Sequence, residues 1–507
     1  MHEIVIGKHT LESLTTGMYS DPFVIYREYI QNAADSIDSA IKAGVLCKGD
    51  DCIDIHLHIA EKRITIRDNG VGISSADAAA RLLSIGDSKK VAHRTRGFRG
   101  IGRLSGLSYC SKLTFETSMQ SECIGTRVTI DSKRLAELLV DNIDSTSTIV
   151  DVLNEVYTVE TYPEKEKLHY FSVIMDGVDD SVKLTDYTEV INYLSQNAPV
   201  PYNFEKFIWG KEVVNRLSQK GCNIEAYNVY VNYQNRREQV YKPYTDSFLA
   251  DRNKNIIDRI SDIQIVSYMN SENEILAAGW IATLDYFGSI FDRSIKGIRL
   301  RKGNILIGDN QTLNVIFKDA RFNGWAVGEI FALHPKLIPN ARRDNFEKNP
   351  HYFTFIEKLT VLANSITKDI RNASLKRNAE LSAAIEATER VSEAATDAIN
   401  NGMSASQKNV LKSELSNIQT AVGQVPLNGE VDAYCQEIAF EELDMLIGTI
   451  KGATSFKALN SMKNLSSSEK KTLERVLKLI MEYDAEAYSD LIDFILSGYS
   501  QGGENVV

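Results

Sequence analysis

The sequence predicts an α+β protein in three parts: a layered α/β domain over residues 1–203, a second α/β domain over 204–357, and an α-helical region over 358–507. Three observations carry this expectation. Apolar residues alternate at Ile53, Ile55, Leu57, Ile59 and at Ile64, Ile66, just after a helix-patterned stretch through about Asp21 to Ala43, which is the signature of half-buried strands laid against a helix. The run Ala198-Pro199-Val200-Pro201 punctuates the chain where a boundary would fall. From about Lys358 to Asn400 the chain is rich in Ala, Glu and Ser with almost no Gly or Pro, as in a long exposed helix.

In chain order, strands are expected at Cys52–Ile59 and Arg63–Asp68, followed by a Gly-rich stretch from Gly97 to Gly106. Strand-like Lys112–Glu116 and Thr126–Ile130 come next, then two helices between Ser132 and Tyr157, a strand at Tyr170–Met175 and a helix at Asp186–Gln196. The second part reads as strands at Ala226–Tyr233, Ile263–Met269 and Gly279–Leu284. Ile298 to Ile307 reads as a hairpin about Gly303-Asn304. Its basic residues Arg299, Arg301 and Lys302 suit a solvated edge guarded against aggregation, the alternative being contact with a client or nucleic acid. The helical region breaks at Gly423–Gly429. It resumes with a stripe of Leu473, Val476, Leu477, Ile480 and Met481, suited to core packing or dimerisation, and its closing residues 502–507 read as frayed.

Composition narrows the functional classes. The 507 residues are 43% hydrophobic and 25% charged, which excludes disordered, collagenous and disulfide-stapled classes. With 57 basic and 68 acidic residues the net charge is -11, so the whole protein has no electrostatic reason to coat DNA. No apolar run approaches the roughly 18 residues that span a bilayer, so a soluble cytoplasmic protein without membrane partners is expected. The six cysteines form no C-x-x-C pair, an argument against structural zinc.

Four segments suggest chemistry. In Tyr26 to Ser36, the residues Glu28, Asn32 and Asp35 fall at i, i+4 and i+7 and share one helix face. A carboxylate beside an amide suits polarising a water next to a magnesium ion held by phosphates; the plain alternative is a solvated helix face. The strand Ile64 to Asp68 ends in Asp68-Asn69-Gly70-Val71-Gly72. There a carboxylate can accept from an exocyclic amine such as adenine's and the glycines let backbone approach a ligand, unless this is simply an Asx-Gly turn. Gly97-Phe98-Arg99-Gly100-Ile101-Gly102 is a G-x-x-G-x-G loop able to cradle phosphate, preceded by a polar connector with Lys89 suited to a mobile lid. Thr126 enters the strand Gly125 to Ile130, where it could reach a base through water, the plain alternative being ordinary strand sequence.

Taken in order, these segments resemble the GHKL ATPases, the superfamily of gyrase, the ninety-kilodalton heat-shock chaperone, sensor histidine kinases and MutL. The resemblance implies an N-terminal Bergerat α/β sandwich that binds ATP and Mg2+. In it Glu28 would activate water, Asn32 would bind the metal, and Asp68 would read adenine. Gly97, Gly100 and Gly102 would form the phosphate-side lid, with Asp35, Gly70, Gly72, Lys89 and Thr126 as further nucleotide contacts. The segment Leu337 to Phe346 looks like the middle-domain catalytic loop of the heat-shock chaperones, Asn-x-Ser-Arg-Glu. Arg343 falls on the family's arginine, and Arg342, on its Ser, remains an alternative.

The water-activating Glu separates the chain from sensor kinases, and a gyrase-like cleavage domain finds no counterpart. The resemblance is specific over about 200 residues, rests on one motif over the next 150 and fades in the C-terminal third. It is closest to HtpG-like chaperones and implies a dimeric ATPase acting on client proteins. The alternatives are a microrchidia- or MutL-like nucleic-acid clamp in genome maintenance or anti-phage defence, and an ATP-gated scaffold that recruits a partner protein.

Overall fold

A computed structural model describes residues 21–84, 102–140, 149–251, 255–401, 405–452 and 465–483, with 491, 494 and 495 beyond. Lys89, Gly97, Gly100 and the closing residues 502–507 lie outside the described residues. The chain divides into two compact units, residues 1–284 with 289–366, and residues 285–288 with 367–507.

The first unit contains helix α1 (Val24–Lys42), strands β1 (Ile53–His58) and β2 (Arg63–Asp68), and helix α2 (Ser75–Leu83). A 3-10 turn over Gly102–Ser108 leads to β3 (Lys112–Ser118) and β4 (Ile124–Asp131), then α3 (Ser132–Val140) and α4 (Ile149–Val156). Next come β5 (Tyr157–Pro163), β6 (Tyr170–Asp176), α5 (Tyr187–Asn197), α6 (Gly210–Gln219), β7 (Val229–Tyr233) and β8 (Arg236–Gln239). These strands form one eight-stranded sheet in the order β5-β4-β3-β6-β2-β1-β7-β8, antiparallel except that β1 and β7 run parallel. The alternation legible in β1 and β2 turns Ile53, Ile55, Leu57, Ile64 and Ile66 into one core with Ile25, Tyr29, Ile30, Ala33 and Ile37 of α1. Burying those side chains is what holds the helix on the sheet. The sheet takes its last two strands from beyond residue 203.

A separate hairpin, β9 (Ser247–Asp251) and β10 (Ile256–Arg259), precedes a second sheet built of β11 (Asp262–Met269), β12 (Ile275–Thr283), β13 (Gly297–Lys302), β14 (Ile305–Ile307) and β15 (Val327–Ala332). Its order is β11-β12-β15-β13-β14, with β13 and β15 parallel. Here one expectation is overturned. Arg299 and Arg301 are 2% and 0% exposed and Lys302 is partly buried, so the hairpin is no solvated edge: β13 lies inside the sheet, and its cations bond to groups within the protein. The same geometry removes the one feature that favoured nucleic-acid contact.

The helical region differs from the expected single exposed helix. Helix α7 (Pro350–Arg377) stops and α8 (Ala379–Asn401) begins across Asn378. The Asn378 carbonyl accepts from Ser382 N, and its side chain accepts from Leu381 N, capping the new helix. In the second unit Leu381, Ile385, Thr388 and Ala395 of α8 are buried beside α9 (Ala405–Gln424) and α10 (Glu430–Gly452). In α11 (Ser467–Tyr483) Leu477 is buried while Val476 is 45% exposed.

Candidate functional site

Helix α1 carries three of the expected residues, and they do not form a solvated face. Glu28 and Asp35 are 7% and 8% exposed, and Asn32 is partly buried. Above Glu28 lies the start of the 3-10 turn. A Cβ on Gly102 would overlap Glu28 Oε2, so a side chain there would push the carboxylate aside, and glycine lets the backbone close on it undisturbed. Tyr29, whose hydroxyl is held above its ordinary range by burial, fixes the turn by donating to the Arg103 carbonyl and accepting from Gly106 N, both at 3.0 Å. Tyr29 carried no sequence signal, because both partners lie more than seventy positions away along the chain.

Two arginines reach the same carboxylate. Arg27 Nη2 lies 3.2 Å from Glu28 Oε1 and also donates to the Arg342 carbonyl at 3.4 Å. Arg343 Nε lies 3.7 Å from Glu28 Oε1, with both side chains about nine-tenths buried. Arg343 adopts a φ of 58°, a left-handed conformation that costs a side-chain-bearing residue of order 1–3 kcal/mol and is kept where the surroundings impose it. The loop around it does so: Arg343 N donates to Asn340 O at 3.2 Å, Gly308 N donates to Arg343 O at 2.8 Å, and Pro339 and Phe346 bridge its base. Arg342 is exposed at its side chain and contributes only its carbonyl here. Of Arg342 and Arg343, it is Arg343 whose guanidinium lies at Glu28, beside that of Arg27.

Of the other expected residues, Asp68, Gly70, Gly72 and Thr126 gather toward the C-terminal half of α1. Asp68 ends β2, 4% exposed, and its Oδ1 accepts Gly70 N at 2.8 Å. Gly70 lies so close to Ser36 of α1 that a Cβ would overlap its Oγ, and Val71 N donates to Ser36 O at 3.2 Å. Gly72, at φ 70°, leaves no room for a side chain against the Ser118 carbonyl, and the next residue, Ile73, donates to Thr117 Oγ1 at 2.8 Å. Thr117 pairs with Thr126 across β3 and β4. The Thr126 hydroxyl is buried without a hydrogen-bond partner, as are both amide atoms of Gln31, a residue the sequence analysis passed over. A buried polar atom left unpaired is costly, so ordered water or a bound ligand is expected to satisfy these atoms. From Glu28 to Ser36 the helix rises about 12 Å at roughly 1.5 Å per residue, which is the separation of the two clusters along α1. Among the described residues no group of three His, Cys, Asp or Glu side chains is arranged to hold a metal alone.

Comparison with known proteins bears on the same part of the chain. Residues 20–158 match the family described as histidine kinase-, DNA gyrase B-, and HSP90-like ATPase. The chaperone protein HtpG of Psychrobacter arcticus is 26% identical over 235 residues, covering 41% of this chain and 34% of that protein. HtpG of Acinetobacter baylyi is 26% identical over 223 residues, covering 40% and 32%, and HtpG of Polaromonas naphthalenivorans 31% over 126 residues, covering 21% and 20%. The chain thus spans about a third or less of the length of the curated relatives it matches. Residues 20–158 thus match the GHKL-type ATPase domains, in a chain that resembles the HtpG chaperones at a distance.

Proposed function

We propose that the protein is a magnesium-dependent ATPase that works as a conformational clamp on client proteins, in the manner its likeness to HtpG suggests. The observation that carries the reading is Glu28: a buried carboxylate, closed over by the Gly102 backbone and faced at 3.7 Å by an arginine delivered from the loop after the second sheet. In this reading ATP lies along α1. Asp68 accepts from the adenine amine, Thr126 and the Gly70–Gly72 backbone line the base, and Asp35 stands beside them. The glycine loop ending at Gly102, with Lys89, covers the phosphates. Asn32 would hold magnesium, whose charge, when bound, is shared among phosphate oxygens.

Glu28 then takes a proton from water as the water oxygen attacks the γ-phosphorus. The bond from phosphorus to the β–γ bridging oxygen breaks, and ADP and phosphate leave. In the structure Glu28 Oε1 is occupied by Arg27 and Arg343. Arg343 has to exchange the carboxylate for the phosphate and Arg27 has to withdraw from Oε1, which together free the base and put a guanidinium where charge develops. Hydrolysis is thereby tied to how the second sheet sits on the first. Dimerisation through the C-terminal helices belongs to the same proposal, and sizing with and without a non-hydrolysable ATP analogue tests it.

The decisive measurement is ATP binding and turnover side by side. Glu28→Ala is expected to bind ATP with wild-type affinity and to lose about 10²–10⁴ in kcat, whereas Asp68→Asn loses binding. Equal turnover by wild type and Glu28→Ala would remove the assignment.

A further inference from the structure

The basic residues of β13 have no part in the site just described, yet they are among the most deeply buried charges in the chain. Arg301 places its Nε against Glu329 of β15, donates from Nη1 to the Asn304 carbonyl at 3.1 Å and from Nη2 to the Gln196 carbonyl at 2.9 Å. Glu329 accepts in addition from Lys242 Nζ at 2.7 and 2.9 Å, from the Tyr202 hydroxyl, and from Trp280 Nε1 at 3.3 Å. The side chains of Lys242 and Glu329 are 0% exposed and that of Arg301 1%. One carboxylate thus gathers two cations and two neutral donors, entirely out of water.

Such a cluster is a poor way to gain stability, since apolar side chains of similar volume do as well or better. What it supplies is direction. The donors come from separate segments: Tyr202 and Lys242 from the chain that follows α5 and β8, Trp280 from β12, directly opposite Glu329, and Arg301 from β13. Through Gln196, Arg301 also holds the last turn of α5, and through Asn304 it holds the β13–β14 turn. One residue past β14, Gly308 donates to the Arg343 carbonyl. Gly308 sits at φ 68°, with the Asp344 carbonyl 2.6 Å from where a Cβ would stand. Any sliding of β13 against β15 would leave a buried charge unpaired, and it would also move the strand on which the Arg343 loop hangs.

We propose that Glu329, Lys242 and Arg301 are positioning residues that lock the second sheet to the end of α5 in the one register that brings Arg343 to Glu28. The kinetic part of this inference rests on the ATPase reading; its structural part does not. Two variants of the full chain test it: Glu329→Gln, and an apolar triple, Lys242→Met with Arg301→Met and Glu329→Leu. The readouts are amide hydrogen exchange of residues 339–346, and ATP turnover in the presence and absence of Arg343→Ala. Glu329→Gln is expected to raise exchange in 339–346 about tenfold. It should lower kcat about 30-fold at unchanged KM, and lower it no further once Arg343 is already Ala.

The triple should melt at or above the wild-type temperature and still show the faster exchange and the lower kcat, which a merely structural role would restore. Wild-type exchange in 339–346 in either folded variant overturns the proposal, as does a loss additive with Arg343→Ala. A triple that does not fold makes the cluster a stability element and overturns it too. If wild type hydrolyses no ATP, the exchange measurement still decides, so failure here and failure of the ATPase reading stay distinguishable.

Discussion

At Arg343 two demands meet, because the proposed mechanism uses a guanidinium beside Glu28 and the backbone there is left-handed. Glycine would accept that backbone at no steric cost. Arg343→Gly is therefore expected to leave stability unchanged or raised by up to about 1 kcal/mol, while kcat falls by about 10³ or more; urea denaturation and steady-state turnover check the two halves. A variant that loses both together would mean that the arginine holds the loop instead of serving Glu28. Gly102 carries the converse demand, since a methyl there overlaps Glu28 Oε2. Gly102→Ala should leave ATP affinity within about twofold and lower kcat by about 10², and ATP titration beside turnover reads both. Glu28, Asn32, Asp35, Asp68, Gly70, Gly72 and Gly102 could be singled out as candidates because helical spacing and Gly-rich turns are local signals. Arg27, Tyr29 and Gln31 were not: their importance comes from what the fold brings to them, the Arg342 carbonyl, the Arg103–Gly106 turn and an unfilled hydrogen-bonding need.

At the scale of elements, periodicity told which residues share a face but not which face is wet. β1 and β2 alternate because one side meets α1, and their bounds were readable almost to the residue. β15 was invisible, since all six of its residues are buried and it presents no alternation to detect. β13 misled for the related reason that Arg299 and Arg301 do alternate with apolar neighbours, yet both sides of that strand are covered. The helical region shows the limit of composition. Nothing in an Ala- and Glu-rich run demands a break at Asn378, which is set by its side chain donating to the Pro426 carbonyl and to Asp432 Oδ2, both at 2.9 Å, while its oxygen caps α8. Asn378→Ala should cost about 1–2 kcal/mol in thermal or urea unfolding. Unaltered stability would mean that the break is set by the packing of α8 and not by the cap.

For the whole molecule the acidic balance and the buried cations act in opposite senses, and pH separates them. The surplus of 68 acidic over 57 basic residues makes the chain more negative as pH rises, and self-repulsion then weakens the fold in general. The cluster at Glu329 runs the other way. Burial would raise the Glu329 carboxyl, but Arg301 and Lys242 outweigh it and bring it down to about 2. It therefore stabilises above the ordinary carboxylate range, and that contribution is lost only as pH falls toward 2. Lys242 is the group that yields: burial first, then the neighbouring Arg301, pushes its ammonium down to about 7 from 10.5. Between those values the unfolded chain binds the proton that the folded chain has released, so this residue's contribution to stability rises with pH across that window. Wild type minus Lys242→Met, compared by urea denaturation at about pH 6.5 and about pH 9.5, should therefore change in favour of wild type by up to about 3 kcal/mol. Taking the difference cancels the general repulsion, which both chains share. A flat or falling difference would mean that Lys242 keeps its proton inside the fold and that Glu329 balances both cations at every pH.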